Sequence, residues 1–195
     1  MIRNILNSYI TRMLVALVIV GIASGVTLVL VYNYAQPRIK VNMDKEEKDA
    51  VKSIFPDMKQ ASVVSGQAGG EDVVMKVTDA NGKMLGYAFI AEGNGYQGII
   101  KLMVGISPDF KKLQGFEVLE SQETPGLGAE IAGEPFREQF AGLDITHPIE
   151  YVKNQKPSQP YQIEAITGAT ISSRAVVNTL NKRIGDLKKQ LGGSV

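Results

Sequence analysis

Residues 13–37 carry no charged side chain, and residues 14–31 are dominated by Leu, Val, Ile, Ala and Gly. A helix needs roughly 20 apolar residues to cross the hydrocarbon core of a bilayer, so this run predicts one transmembrane span. Tyr32 and Tyr34 fall at its C-terminal edge, where amphipathic rings suit the membrane interface. The alternative is a cleaved secretory signal, favoured by the small residues Ala23, Ser24 and Gly25. The apolar run continues well past them, which favours a retained anchor. Residues 1–36 are therefore read as tail and anchor, and residues 37–195 as one folded domain. Arg3 and Arg12 precede the span, while Arg38, Lys40, Lys45 and Lys48 follow it. That balance leaves the orientation open, because positive charge steers long translocated domains only weakly.

A chain of 195 residues can supply one good core behind such an anchor, not two large domains. Lys and Arg number 21 against 20 for Asp and Glu. Nucleic acid is not expected as a partner, since phosphate-backbone binding calls for a clear basic excess. The chain has no cysteine, which excludes disulfides, thiol nucleophiles and Cys-ligated zinc or iron–sulfur clusters. His147 is the only histidine and precedes Pro148 in a loop-like stretch, so a histidine metal site is not expected either. Redox chemistry here has to come from an organic cofactor.

Hydrophobic periodicity outlines the domain. Residues 44–55 form an amphipathic helix pattern with Ala50, Val51, Ile54 and Phe55 on one face, stopped by Pro56. The polar, Gly-rich stretch 62–70 reads as a loop. Residues 73–77 and 85–90 read as strands flanking Asn81-Gly82, a strong hairpin signal. A glycine-rich turn over 93–98 precedes an apolar run, 99–106, and a further strand over 113–119. Pro135 opens a short helix ending near Phe140. Over 171–191, Val176, Leu180, Ile184, Leu187 and Leu191 recur at three- and four-residue steps, the stripe of a long terminal helix. The fold class expected is α+β: one membrane helix, then an antiparallel sheet with a long C-terminal helix.

Three glycine-containing segments are candidates for chemistry. Around Thr167, Gly168, Ala169 and Thr170, with Glu164 before and Ser172 and Ser173 after, hydroxyl residues gather where the terminal helix should start. The free N–H groups and positive partial charge of a helix N-terminus favour a phosphate. Equally, Thr170 or Ser172 could serve only as an N-cap. The sequence is not a P-loop, because the Gly-Lys-Ser/Thr ending is missing. In the second segment, Glu123-Thr124-Pro125-Gly126-Leu127-Gly128, Pro-Gly favours a type II turn and the last glycine permits close approach of a flat ligand. An ordinary connecting loop has the same composition. The third places Tyr96 between Gly95 and Gly98, where the ring could stack on a ligand or merely decorate a hairpin.

Taken together, these segments resemble the FMN-binding domain shared by the G subunit of Rnf electron transport complexes and the C subunit of the sodium-pumping NADH:quinone reductase. Thr167-Gly168-Ala169-Thr170 looks like the family's flavinylation motif, with Glu164 at the preceding acidic position where Asp is commoner. The resemblance implies FMN joined by a phosphoester to Thr170, with Tyr96, Glu123, Thr124, Gly126, Leu127, Gly128, Glu164, Thr167, Gly168, Ala169, Ser172 and Ser173 around the cofactor. Of these, Thr124 and Leu127 are the expected ring contacts, and Ser172 and Ser173 the expected partners of the phosphate. It further implies an ApbE-type flavin transferase as the modifying enzyme, and other membrane subunits of the complex, with membrane lipid, as partners. It places the flavin domain outside the cytoplasm. The compact length favours the Rnf-type subunit over the quinone-reductase type. A non-redox ligand-binding module and a structural subunit with a degenerate flavin site are the competing classes. A hydrolase finds no nucleophile–base pair.

Overall fold

In the computed structural model, residues 9–66 and 73–192 are described. Arg3, part of the expected 62–70 loop and the last three residues lie outside them. The chain divides into two compact units, residues 1–44 and 45–195.

The apolar run of the first unit belongs to helix α1, Tyr9–Ile54, the one helix among the described residues long and apolar enough to cross a membrane. None of its most apolar window is buried within the protein. The amphipathic helix expected over 44–55 is the C-terminal end of this same α1 rather than a separate element. Pro37 lies inside it and removes one backbone donor without ending it.

The second unit is built on a five-stranded antiparallel meander: β1 Gln60–Ser65, β2 Val74–Thr78, β3 Met84–Asn94, β4 Ile99–Ile106 and β5 Leu113–Ser121, paired in chain order. Its two faces are both covered. Phe89, Ala91, Leu102, Val104 and Phe116 face the C-terminal helix α3, Thr170–Gly192, through Val176, Leu180, Ile184 and Leu187. Ala88, Ile90 and Met103 face Ala50, Val51 and Phe55 at the end of α1. Burial on both sides is why 85–90 and 99–106 read as continuous apolar runs instead of alternating ones. Phe55 is seated by Gly105, where a Cβ would stand 2.8 Å from its ring.

Asn81-Gly82 does close the β2–β3 hairpin, with Gly82 at φ +78° and the Asp79 carboxylate accepting the N–H groups of Asn81 and Lys83. Two expectations fail. The start of the expected 62–70 loop is strand β1, which pairs with β2 yet keeps Val63 and Val64 exposed. An edge strand held by backbone pairing alone leaves no hydrophobic alternation to read. The expected 93–98 turn is shorter, because Gly93 and Asn94 still pair with Ile100 and Ile99.

Beyond β5 come a 3-10 turn, Gly128–Ala132, and the short helix α2, Glu134–Arg137, which runs into a second 3-10 turn, Glu138–Phe140. Phe116, Phe136 and Phe140 meet edge to face, and Arg137 pairs with Glu117. Two short strands, β6 Glu150–Val152 and β7 Gln162–Glu164, pair in parallel and deliver the chain to α3. Neither was visible in the sequence. His147 is exposed, with its ring against Tyr161.

Candidate functional site

Two turns of the same build shape the site. In the first, the Leu127 N–H donates to the Thr124 carbonyl at 3.1 Å, with Pro125 second and Gly126 third at φ +72°. This is the type II turn that Pro-Gly favours, since the third position needs a positive φ. In the second, the Ala169 N–H donates to the Ile166 carbonyl at 3.0 Å, with Gly168 third at φ +83°. The turns touch: a Cβ on Gly168 would lie 3.4 Å from Leu127 Cδ2.

Helix α3 starts at Thr170, and the Ser173 N–H makes the first intrahelical bond, to the Ala169 carbonyl at 3.0 Å. The N-cap is therefore Ala169, not Thr170 or Ser172. Alanine has no side-chain oxygen to cap with, so the first-turn N–H groups are not satisfied by their own N-cap. Thr170 is half-buried on this first turn, beside the exposed Thr167 and Gly168.

The two serines behave differently from the expectation that they hold a phosphate. Ser173 is fully buried, donates its hydroxyl to the Ala169 carbonyl and accepts from the Ile166 N–H, both at 3.0 Å. It ties the turn to the helix. Ser172, 3% exposed, donates to Glu123 Oε2 at 2.5 Å. Glu123 itself is 7% exposed, and its other oxygen accepts the N–H groups of Tyr96 at 2.7 Å and Gln97 at 3.0 Å. Burial pushes this carboxyl upward. The hydrogen bonds from Ser172, Gln97, Tyr96 and Gly98 together outweigh that and hold it below the usual glutamate value.

One carboxylate thus brings all three segments together. Tyr96 and Leu127 remain exposed at 66% and 48%. Thr124 is half-buried, and its carbonyl accepts from both Leu127 and Ala129. Glu164 stands apart from this cluster at the end of β7. Its backbone exchanges two hydrogen bonds with the Gln139 side chain, at 2.7 and 3.3 Å.

Sequence reading missed Ile171. It is 46% exposed and heads the helix face that continues through the exposed Arg174, Asn178 and Lys182. An apolar residue opening a polar face was the available signal. Unblocked helix N–H groups, a hydroxyl on the same turn and exposed Leu127, Ile171 and Tyr96 fit a ligand with a phosphate end and a flat apolar body.

The fold and site define an FMN-binding domain. A family model described as "FMN-binding domain" matches residues 95–185, the span from the Gly95 turn into α3. The G subunit of the ion-translocating oxidoreductase complex of Methanosarcina acetivorans is 35% identical over 188 residues, covering 94% of this chain and 97% of that one. The G subunit of the proton-translocating ferredoxin:NAD(+) oxidoreductase complex of Clostridium ljungdahlii is 29% identical, covering 87% of each. A crystal structure of the C subunit of the Na(+)-translocating NADH-quinone reductase from Parabacteroides distasonis shares the fold, with a TM-score of 0.59 at 21% identity over 74% of this chain and 92% of that one. The chain belongs to the family of G subunits of Rnf-type ion-translocating oxidoreductase complexes.

Proposed function

We propose that this chain is the flavin-carrying, electron-relaying G subunit of a membrane ferredoxin:NAD⁺ oxidoreductase complex that drives Na⁺ or H⁺ translocation, with FMN held as a phosphoester on Thr170. The observation that carries the proposal is the start of α3. Thr170 lies on the first turn of a 23-residue helix whose N-cap is an alanine, directly after a glycine turn in which Thr167 and Gly168 are exposed. A phosphate on that hydroxyl meets open N–H groups and the positive end of the helix dipole. Relatives named as G subunits over almost the whole chain support the assignment to such a complex.

The Thr170 hydroxyl is the acceptor in a transfer run by an ApbE-type flavin transferase. Its oxygen bonds to the flavin-side phosphorus of FAD, the pyrophosphate bond breaks, AMP leaves, and the hydroxyl proton is released. Gly168, exposed beside Thr170, gives the transferase access. Once bound, FMN supplies one- and two-electron redox chemistry. Leu127, Thr124 and Tyr96 wall the ring, Gly126 allows their loop to approach it, and Thr167 lies beside the ester, whereas the buried Gly128 makes room for Glu123 and Ser172 instead of for the ring.

Helix α1 serves as the membrane anchor, with the flavin domain on the outer side. A covalent link there prevents loss of cofactor to a large external volume. No ionisable side chain lies within residues 14–31, so this span relays no ion. Other membrane subunits of the complex and membrane lipid are its partners.

The test is intact mass and in-gel flavin fluorescence on the denatured full-length chain co-expressed with a flavin transferase. A mass gain of one FMN less water, mapped to the peptide holding Thr170, supports the proposal. Unmodified mass beside an active transferase sinks it in favour of a non-redox binding module.

A further inference from the structure

Among the described residues Glu123 is the only buried side chain that carries a charge. A buried carboxylate is costly unless every lone pair it presents is used. Here the uses are specific. Oε1 takes the N–H groups of Tyr96 and Gln97, and Oε2 takes the Ser172 hydroxyl, three residues into α3. The space around it is made by glycines from two different segments. A Cβ on Gly95 would stand 2.3 Å from Oε1, and one on Gly128 would stand 2.3 Å from Oε2 and 2.6 Å from Ser172 Oγ. Two segments have therefore given up side chains to close around one carboxylate, and the helix start supplies the Ser172 hydroxyl to it. Both oxygens are engaged with the protein, which suits Glu123 to joining these segments.

We propose that Glu123 is a positioning residue: through Ser172 it locks the Tyr96–Gln97 turn onto the first turn of α3, fixing Tyr96 and Leu127 relative to the Thr170 hydroxyl. This rests on the Thr170 assignment above. Leu replaces the side chain at similar size and leaves the Tyr96 and Gln97 amides and the Ser172 hydroxyl without an acceptor. Gln keeps one oxygen for the two amides and presents an NH2 from which the Ser172 hydroxyl can accept instead of donating, so it is the conservative variant.

The test uses the full-length chain, co-expressed with a flavin transferase, as wild type, Glu123→Leu, Glu123→Gln and Ser172→Ala. Flavin loading over time is read by intact mass. Fluorescence anisotropy and visible circular dichroism of the attached flavin are read well below the melting temperature. Losing three hydrogen bonds should slow loading about tenfold or more in Glu123→Leu and strip the attached flavin of anisotropy and induced dichroism. Glu123→Gln should recover most of both. A residue that only stabilises the fold would lower the melting temperature and leave those two optical signatures unchanged. If Glu123→Leu does not fold, Ser172→Ala still removes one bond and should show a several-fold slowing with reduced anisotropy. Wild-type loading rate and optical signatures in Ser172→Ala, and in Glu123→Leu where it folds, overturn the positioning role alone. A wild-type chain that is never modified overturns the Thr170 assignment and this role with it.

Discussion

The turns at 124–127 and 166–169 share a construction and differ in the element each one launches. Each has an N–H closing back onto a carbonyl three residues earlier and a glycine with positive φ in the third position. The first runs into a 3-10 turn of five residues, the second into an α-helix of 23. A short 3-10 piece has little dipole and few open donors, whereas a long helix concentrates both at its first turn. In the function proposed here, the same local chemistry would serve as a wall in one place, with Leu127 exposed on it, and as an attachment point in the other. On that proposal the two turns differ in function through the length of the helix behind them.

That contrast breaks hardest at Thr170. Thr170→Ala should abolish covalent flavin completely while changing stability by no more than about 0.5 kcal/mol, because the residue is only half-buried and caps nothing. In-gel fluorescence beside a thermal melt checks both halves. Next come the paired glycines. Ala at either Gly126 or Gly168 must take up a left-handed backbone, at a cost of about 1–2 kcal/mol. Equal destabilisation with slow flavin loading only in Gly168→Ala would sharpen the distinction, and equal slowing in both would erase it.

A smaller effect comes from the carboxylate joining the two turns. With its folded pKa depressed, the stability Glu123 adds is fully present above the usual glutamate value and is lost as pH falls through the lower folded one. Melting temperatures of wild type should therefore fall more steeply with acid than those of Glu123→Gln. Parallel slopes would show that the pair is not the acid-sensitive joint. Smallest in stability is Leu127→Ala, within about 0.5 kcal/mol because the side chain is exposed. Its signature should instead be a changed absorption and dichroism of the attached flavin.

Much of this site is legible before folding, because turns and helix starts are settled within a few residues. Pro125-Gly126 and Thr167-Gly168 demand positive φ locally, and the stripe from Val176 to Leu187 locates α3. The uncharged run after Met13 likewise defines the long apolar helix by composition alone. Hydroxyl direction is not local. Ser172 and Ser173 look like phosphate ligands in the sequence, and packing turns both inward. The partner that claims Ser172 lies 49 positions away, and the amides sharing that carboxylate lie 27 and 26 positions from it. Strand β1 is similarly silent, since backbone pairing with β2 leaves no trace in side-chain alternation. By itself the sequence determined where the chain turns, where α3 begins and which hydroxyl stands at its start. Only the tertiary structure decided which polar groups remain available, because a buried donor takes whatever acceptor the sheet and helix bring within reach.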